Sequence, residues 1–153
     1  MQKLLSLSAV VVCLVMLSSC SDDDDASRTD LLTAKSWSIT KYEVEFSGQS
    51  IDITEDYMDC EGDNVITFSK DGKYNETPGA NTCGYEEALT GTWSLTNGDK
   101  TISTTIDGDT DQVEIHTLTS TTLKVKGGTI DFDTNGDGVD DAEVQLYIIL
   151  TGK

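Results

Sequence analysis

The densest chemistry in this chain lies between Ile130 and Glu143, where six carboxylates and one asparagine stand with no base among them. Asp133, Asn135 and Asp137 occupy alternate positions, and Gly138 follows. Oxygen ligands at the first, third and fifth places of a loop, with glycine at the sixth for a sharp turn, make up the first half of a calcium loop. The Val139 carbonyl falls at the seventh place and Asp141 at the ninth. The twelfth, where a bidentate glutamate belongs, is Val144; Glu143 comes one residue early, so the full EF-hand pattern fails. Carboxylates this crowded repel one another, and a divalent cation would remove that repulsion and let the flanking segments meet. The metal expected is calcium, held by Asp133, Asn135, Asp137, Val139 and Asp141. Magnesium suits the site less, because it prefers few protein ligands and many waters. The other reading is a solvated acidic loop.

Hydrolytic chemistry has little to work with. His116 is the only histidine, and it lies on a strand-like, threonine-rich stretch. No G-x-S-x-G, Walker loop or H-E-x-x-H is present. With 28 acidic residues, some carboxylates must be neighbours, so proximity alone marks no acid–base pair. No enzyme activity and no catalytic residue is expected.

The four cysteines are Cys13, Cys20, Cys60 and Cys83. Cys13 sits in an apolar run from Leu4 to Leu17, after the basic start Met1-Gln2-Lys3. That run is too short to span a bilayer and reads as a secretory signal, residues 1–19. Leu17-Ser18-Ser19-Cys20 resembles the lipobox of bacterial lipoproteins. The resemblance implies cleavage before Cys20 and a fatty acyl lipid on its thiol. In an exported chain the remaining Cys60 and Cys83 are expected to form a disulfide, with two buried free thiols as the alternative. A cysteine metal site is disfavoured, since no CxxC pair exists and His116 stands alone.

Loss of the signal removes Lys3 and leaves nine basic against 28 acidic residues, a net charge of −19. Such a surface repels nucleic acid and anionic headgroups. The membrane is then touched through the lipid anchor only. Residues 20–28 carry Asp22-Asp23-Asp24-Asp25 and read as a solvated acidic tether. The run also resembles the acidic stretch that sends some lipoproteins of Bacteroidota to the outside of the outer membrane. Outer-membrane anchoring is expected, with cell-surface exposure one option and a plain linker the other.

The elements that would position these groups are strands. Lys35 to Phe46 alternates, with Trp37 and Ile39 in one phase and Tyr42, Val44 and Phe46 in the other. The phase change near Thr40-Lys41 predicts a bulge. Thr29–Leu32 and Thr54–Met58 each suggest one helical turn, the first capped at Thr29. Ile51 and Ile53 suggest a short strand. Val65–Ser69 and Tyr74–Thr77 flank an Asp71-Gly72 hairpin turn. Gly91–Thr96, Lys100–Ile106, Gln112–Leu118, Thr122–Lys126 and Val144–Leu150 follow, with turns at Asn97-Gly98-Asp99 and Asp107-Gly108-Asp109. About eight hairpin-linked strands predict an all-β, antiparallel up-and-down barrel over residues 29–153, with a sandwich as runner-up.

Several motifs now stand in order: Leu32 and Trp37-Ser38-Ile39; Cys60; Phe68-Ser69-Lys70-Asp71-Gly72-Lys73-Tyr74; Cys83; Gly91-Thr92-Trp93-Ser94-Leu95; and Ile115 with Leu118 to Leu123. Together they resemble the lipocalin-like domain lipoproteins of Bacteroidota, across nearly all of the mature chain. The resemblance implies a small lipocalin-like barrel with a Cys60–Cys83 bridge. The acidic loop, for its part, resembles the D-x-N-x-D-G-x-x-D calcium loops of extracellular repeat proteins. An eight-stranded barrel has room either for its own side chains or for one small ligand. Trp37, Phe68, Tyr74, Trp93 and Tyr147 are bulky enough to fill it, so no ligand-binding residues are assigned. The expected function is a non-catalytic binding module for a small apolar ligand. The alternative is a structural component of a cell-envelope complex, with a filled lumen and an envelope protein as partner. An inhibitor presenting its loops to an extracellular enzyme has no motif to support it.

Overall fold

The computed structural model describes residues 26–58, 60–81, 84 and 87–153. The first element is a short helix, α1 (Arg28–Thr33), capped by Ser27 rather than Thr29: the Ser27 hydroxyl accepts from the Asp30 N–H at 3.0 Å. Strand β1 (Ser36–Phe46) follows, then β2 (Gln49–Asp52), a single helical turn α2 (Thr54–Tyr57) and a 3-10 turn at Cys60–Asp63. The remaining strands are β3 (Val65–Phe68), β4 (Lys73–Thr77), β5 (Leu89–Thr96), β6 (Thr101–Ile106), β7 (Asp109–Leu118), β8 (Thr122–Phe132) and β9 (Ala142–Gly152).

Each strand from β3 to β9 pairs antiparallel with the next, and β1 pairs with both β3 and β9. That closes eight strands into a barrel, and closure removes the exposed edges on which an open sheet aggregates. The ninth strand, β2, is a flap paired only with the distal half of β1. The register shifts at three places. One lies between Ile115 and Thr117, where β7 meets β8. The other two, in β1 and in β8, set the shape of the barrel mouth and core. The β1–β9 register shifts between Ile39 and Lys41, where the phase of β1 changes, so Trp37 and Ile39 before the bulge and Tyr42 and Val44 after it all turn inward. The second lies in β8, which runs on to Phe132 rather than ending near Lys126. Its register on β9 shifts between Lys126 and Thr129. Gly127 and Gly128 occupy that shift, and Gly128 has φ +94°, a conformation that suits glycine.

The apolar side chains form two clusters. The larger fills one end of the barrel around Leu32, Trp37, Phe68, Trp93 and Leu123. Helix α1 lies across this end: Arg28 donates to the Asp99 carbonyl in the β5–β6 turn, and Lys70 in the β3–β4 turn pairs with Asp30. The smaller cluster gathers Tyr42, Val44, Ile53, Val144 and Leu146 where β1 and β9 extend past the bulge. Tyr147 belongs to neither. It is one residue out of phase with Leu146 and Ile148, so it faces outward, where it is covered by His116 and by Lys124, whose Nζ lies 4.4 Å from the ring centroid. It does not fill the lumen.

Beside Tyr147 on the outer wall, Glu43 accepts from Lys124 at 2.8 Å and Lys41 at 2.6 Å. Those two ammonium groups, Lys124 foremost, hold its carboxyl at about 2, well below the ordinary 4.5. A carboxyl depressed by folding contributes stability that is complete above its unfolded value near 4.5 and is lost as pH falls through about 2. Glu43→Gln should therefore cost about 1–2 kcal/mol at neutral pH, between exposed-pair and charged-hydrogen-bond values. It should also flatten the stability decline between pH 4.5 and 2. Urea titrations at stepped pH measure both; parallel curves for the two proteins would refute the assignment.

Candidate ligand-binding site

One end of the lumen is packed shut. Trp37 is fully buried and its indole N–H donates to the Leu32 carbonyl at 2.9 Å. The Trp93 indole donates to the Ser69 carbonyl at 2.9 Å, and its ring meets Phe68 edge-on at 5.2 Å. Both tryptophans thus place their one polar atom on a backbone oxygen and leave the ring to fill space.

Next to this packing, and sharing Phe68 and Leu123 with it, lies a cavity of about 330 Å³. Ile39, Ile66, Phe68, Ile102, Leu123 and Ile148 supply much of its apolar wall. At its rim stand Glu61, Glu76 and Leu89, of which Glu61 and Leu89 are exposed. The volume is at the small end of the roughly 300–1,000 Å³ usual for small-molecule pockets. Glu76 is reached through β4, where Tyr74 and Glu76 share the inward phase. The Tyr74 hydroxyl donates to Glu76 Oε2 at 2.8 Å, and the Asn64 amide donates to Glu76 Oε1 at 2.9 Å. Burial first, and the Glu76 charge second, push the Tyr74 hydroxyl far above its usual range, so it stays a donor. Tyr42 is raised too, by burial and then by the charges of Glu61 and Glu76.

The acidic loop spans the β8–β9 connection. Asp133 accepts from the N–H groups of Asn135 at 3.0 Å, Gly136 at 2.7 Å and Gly138 at 2.7 Å, and these hold its carboxyl below the usual range. Asp141 accepts from the Thr134 N–H and hydroxyl and from the Asn135 amide, and it too is lowered, by the Thr134 bonds first. Asp133, Asn135 and Asp141 are therefore brought together. Asp137 instead accepts from the Val139 N–H, and the Val139 side chain is exposed. The donor set is all oxygen and suits a hard cation. Its oxygens are taken up by the loop's own N–H groups, and among the described residues no three Asp, Glu, His or Cys side chains group as a metal site.

Cys60 is buried and disulfide-bonded. Cys83 lies outside the described residues, as do the signal, Cys20 and the acidic run to Asp25. His116 is exposed, its ring 4.9 Å from that of Tyr147. Among the described residues no helix is long and apolar enough to cross a membrane.

The lipocalin-like domain family matches residues 33–125, from the end of α1 into β8. The chain belongs to that family. No curated protein sequence matches it. Among solved structures it is similar to a DUF4847 family protein from Bacteroides vulgatus, at 11% identity and a TM-score of 0.52. The likeness covers 81% of this chain and 96% of that one and concerns the fold. Lipocalin-like domains are generally non-catalytic binding modules, and an eight-stranded barrel has room either for its own side chains or for one small ligand. In this lipocalin-like barrel the sequence reading missed Glu76 as a lumen residue. The signal was there: Glu76 is two residues from Tyr74 on a strand of period two.

Proposed function

We propose that this protein is a non-catalytic binding module that takes one small ligand with an apolar body into the barrel. The observation that carries this reading is the 330 Å³ cavity left between the tryptophan-packed end and the rim. It favours binding over a structural role with a wholly filled lumen. We further propose that a lipid on Cys20 anchors the protein to the outer membrane, and that Cys83 is the partner of Cys60. Native mass spectrometry of protein purified from its host is expected to show a small adduct released by mild activation. A bare mass in repeated preparations would overturn the binding reading. The same spectra read the anchor, as acyl mass on a chain beginning at residue 20.

Calcium at Asp133, Asn135, Asp137, Val139 and Asp141 is part of the same proposal. Support comes from the all-oxygen donor set and from the clustering of Asp133, Asn135 and Asp141. A ligand present at ten times its Kd stabilises by about 1.4 kcal/mol. Thermal melting in millimolar calcium should then lie several degrees above melting in chelator. Coincident midpoints would remove the metal.

A further inference from the structure

The cavity wall carries an uncompensated negative charge. Glu76 faces inward and both of its oxygens accept hydrogen bonds, yet the donors are the neutral Tyr74 hydroxyl and Asn64 amide. These bonds fix the carboxylate in place without neutralising it. Glu61 stands at the same rim, and both charges reach the Tyr42 hydroxyl. Among the described residues, no lysine or arginine forms an ion pair with either glutamate. The contrast with the outer wall is direct: there Glu43 is held by two lysines. Glu76 is half-buried at the rim, so a cation would still gain by pairing with it, and the fold supplies no such partner.

We propose that the pair comes from the ligand: the barrel binds an amphiphile with a cationic ammonium-type head and a short apolar body. The body lies among Ile39, Ile66, Phe68, Ile102 and Ile148, and the head sits at the rim between Glu76 and Glu61. This deepens the binding reading and rests on it. An anionic ligand would meet two carboxylates and the net charge of −18. A neutral one would strip water from Glu76 and offer nothing in return. The cation is the occupant for which cavity and charge agree.

The test is calorimetric titration of the purified full-length protein with octylammonium, octanol and octanoate, which share an apolar chain and differ in the head. Octylammonium should bind at least tenfold more tightly than octanol, with octanoate weakest. Glu76→Gln keeps the shape of the side chain and should bring the octylammonium-to-octanol ratio close to one. Glu61→Gln, at an exposed position, should reduce the ratio without threatening the fold. Asp99→Asn removes a charge from the turn at the packed end and should leave the ratio unchanged, which separates the site from the general acidic field. Equal affinity for octylammonium and octanol, or preference for octanoate, would overturn the cation proposal while leaving a binding barrel. A ratio that falls as far for Asp99→Asn as for Glu76→Gln would also overturn it. No binding of any of the three would overturn the binding reading itself.

Discussion

Replacing Trp37 by alanine should lower the stability of the barrel by about 3–5 kcal/mol, the usual range for removing a large buried aromatic. Single domains of this size are stable by only about 5–15 kcal/mol, so the loss is a large share of the whole. Three observations put the effect at that end of the scale. The side chain is 0% exposed, it lies in the larger core cluster, and its indole N–H ties the Leu32 carbonyl of α1 to β1. Neighbours cannot collapse into the hole cheaply, because a closed barrel wall is held at fixed spacing by its hydrogen-bond ladders. Trp37→Phe divides the two contributions. It keeps a ring in the space but leaves the Leu32 carbonyl without its donor at a site no water reaches, a cost of about 1–3 kcal/mol. Urea unfolding gives both numbers. A loss below about 1 kcal/mol for the alanine variant would mean that α1 and its tryptophan are not what closes this end.

The strands were legible because their residues alternate, and alternation survives whatever the neighbouring strand contributes. Trp37, Ile39, Tyr42 and Val44 even disclosed the β1 bulge, since one inserted residue reverses the inward phase. Where the reading failed, the local pattern was outweighed by something non-local. Lys126-Gly127-Gly128 looks like the end of a strand, yet β9 supplies partners on both sides of the glycines and carries β8 on to Phe132. The acidic loop is therefore shorter than its composition suggests. Tyr147 is bulky enough to be a candidate for the lumen, though its phase opposes that of Leu146 and Ile148; the outer wall buries it through Lys124 and His116 instead. Conversely, Glu76 was overlooked because a carboxylate is not expected on an inward position. What period-two alternation places inside it places there regardless of chemistry, and the exception to apolar content is where function is to be sought.

Gly91→Val should be the second severe substitution, at or above the upper end of the roughly 1–3 kcal/mol that overpacking costs. Gly91 pairs with Tyr74 on β4 and Ile106 on β6. A Cβ at this position would run into the backbone carbonyl of Thr105 and stand 3.0 Å from Ile106 Cγ1. A side chain can swing aside; a carbonyl held in a ladder cannot, so β6 would have to move away from β5. Gly91→Ala should show the same defect to a lesser degree, because the first carbon already meets the carbonyl and valine adds two more. Amide exchange localises the damage: Thr92 to Leu95 and Ile102 to Thr105 should lose protection, while β8 and β9, which pair elsewhere, keep theirs. A valine variant with the parent's urea midpoint would show that β6 has slack the packing does not suggest. The glycine and the tryptophan of Gly91-Thr92-Trp93-Ser94 thus act together on one inward phase. Gly91 lets β6 approach, Trp93 fills the packed end two residues on, and Leu89, two residues back, reaches the rim where Glu76 waits for a charge.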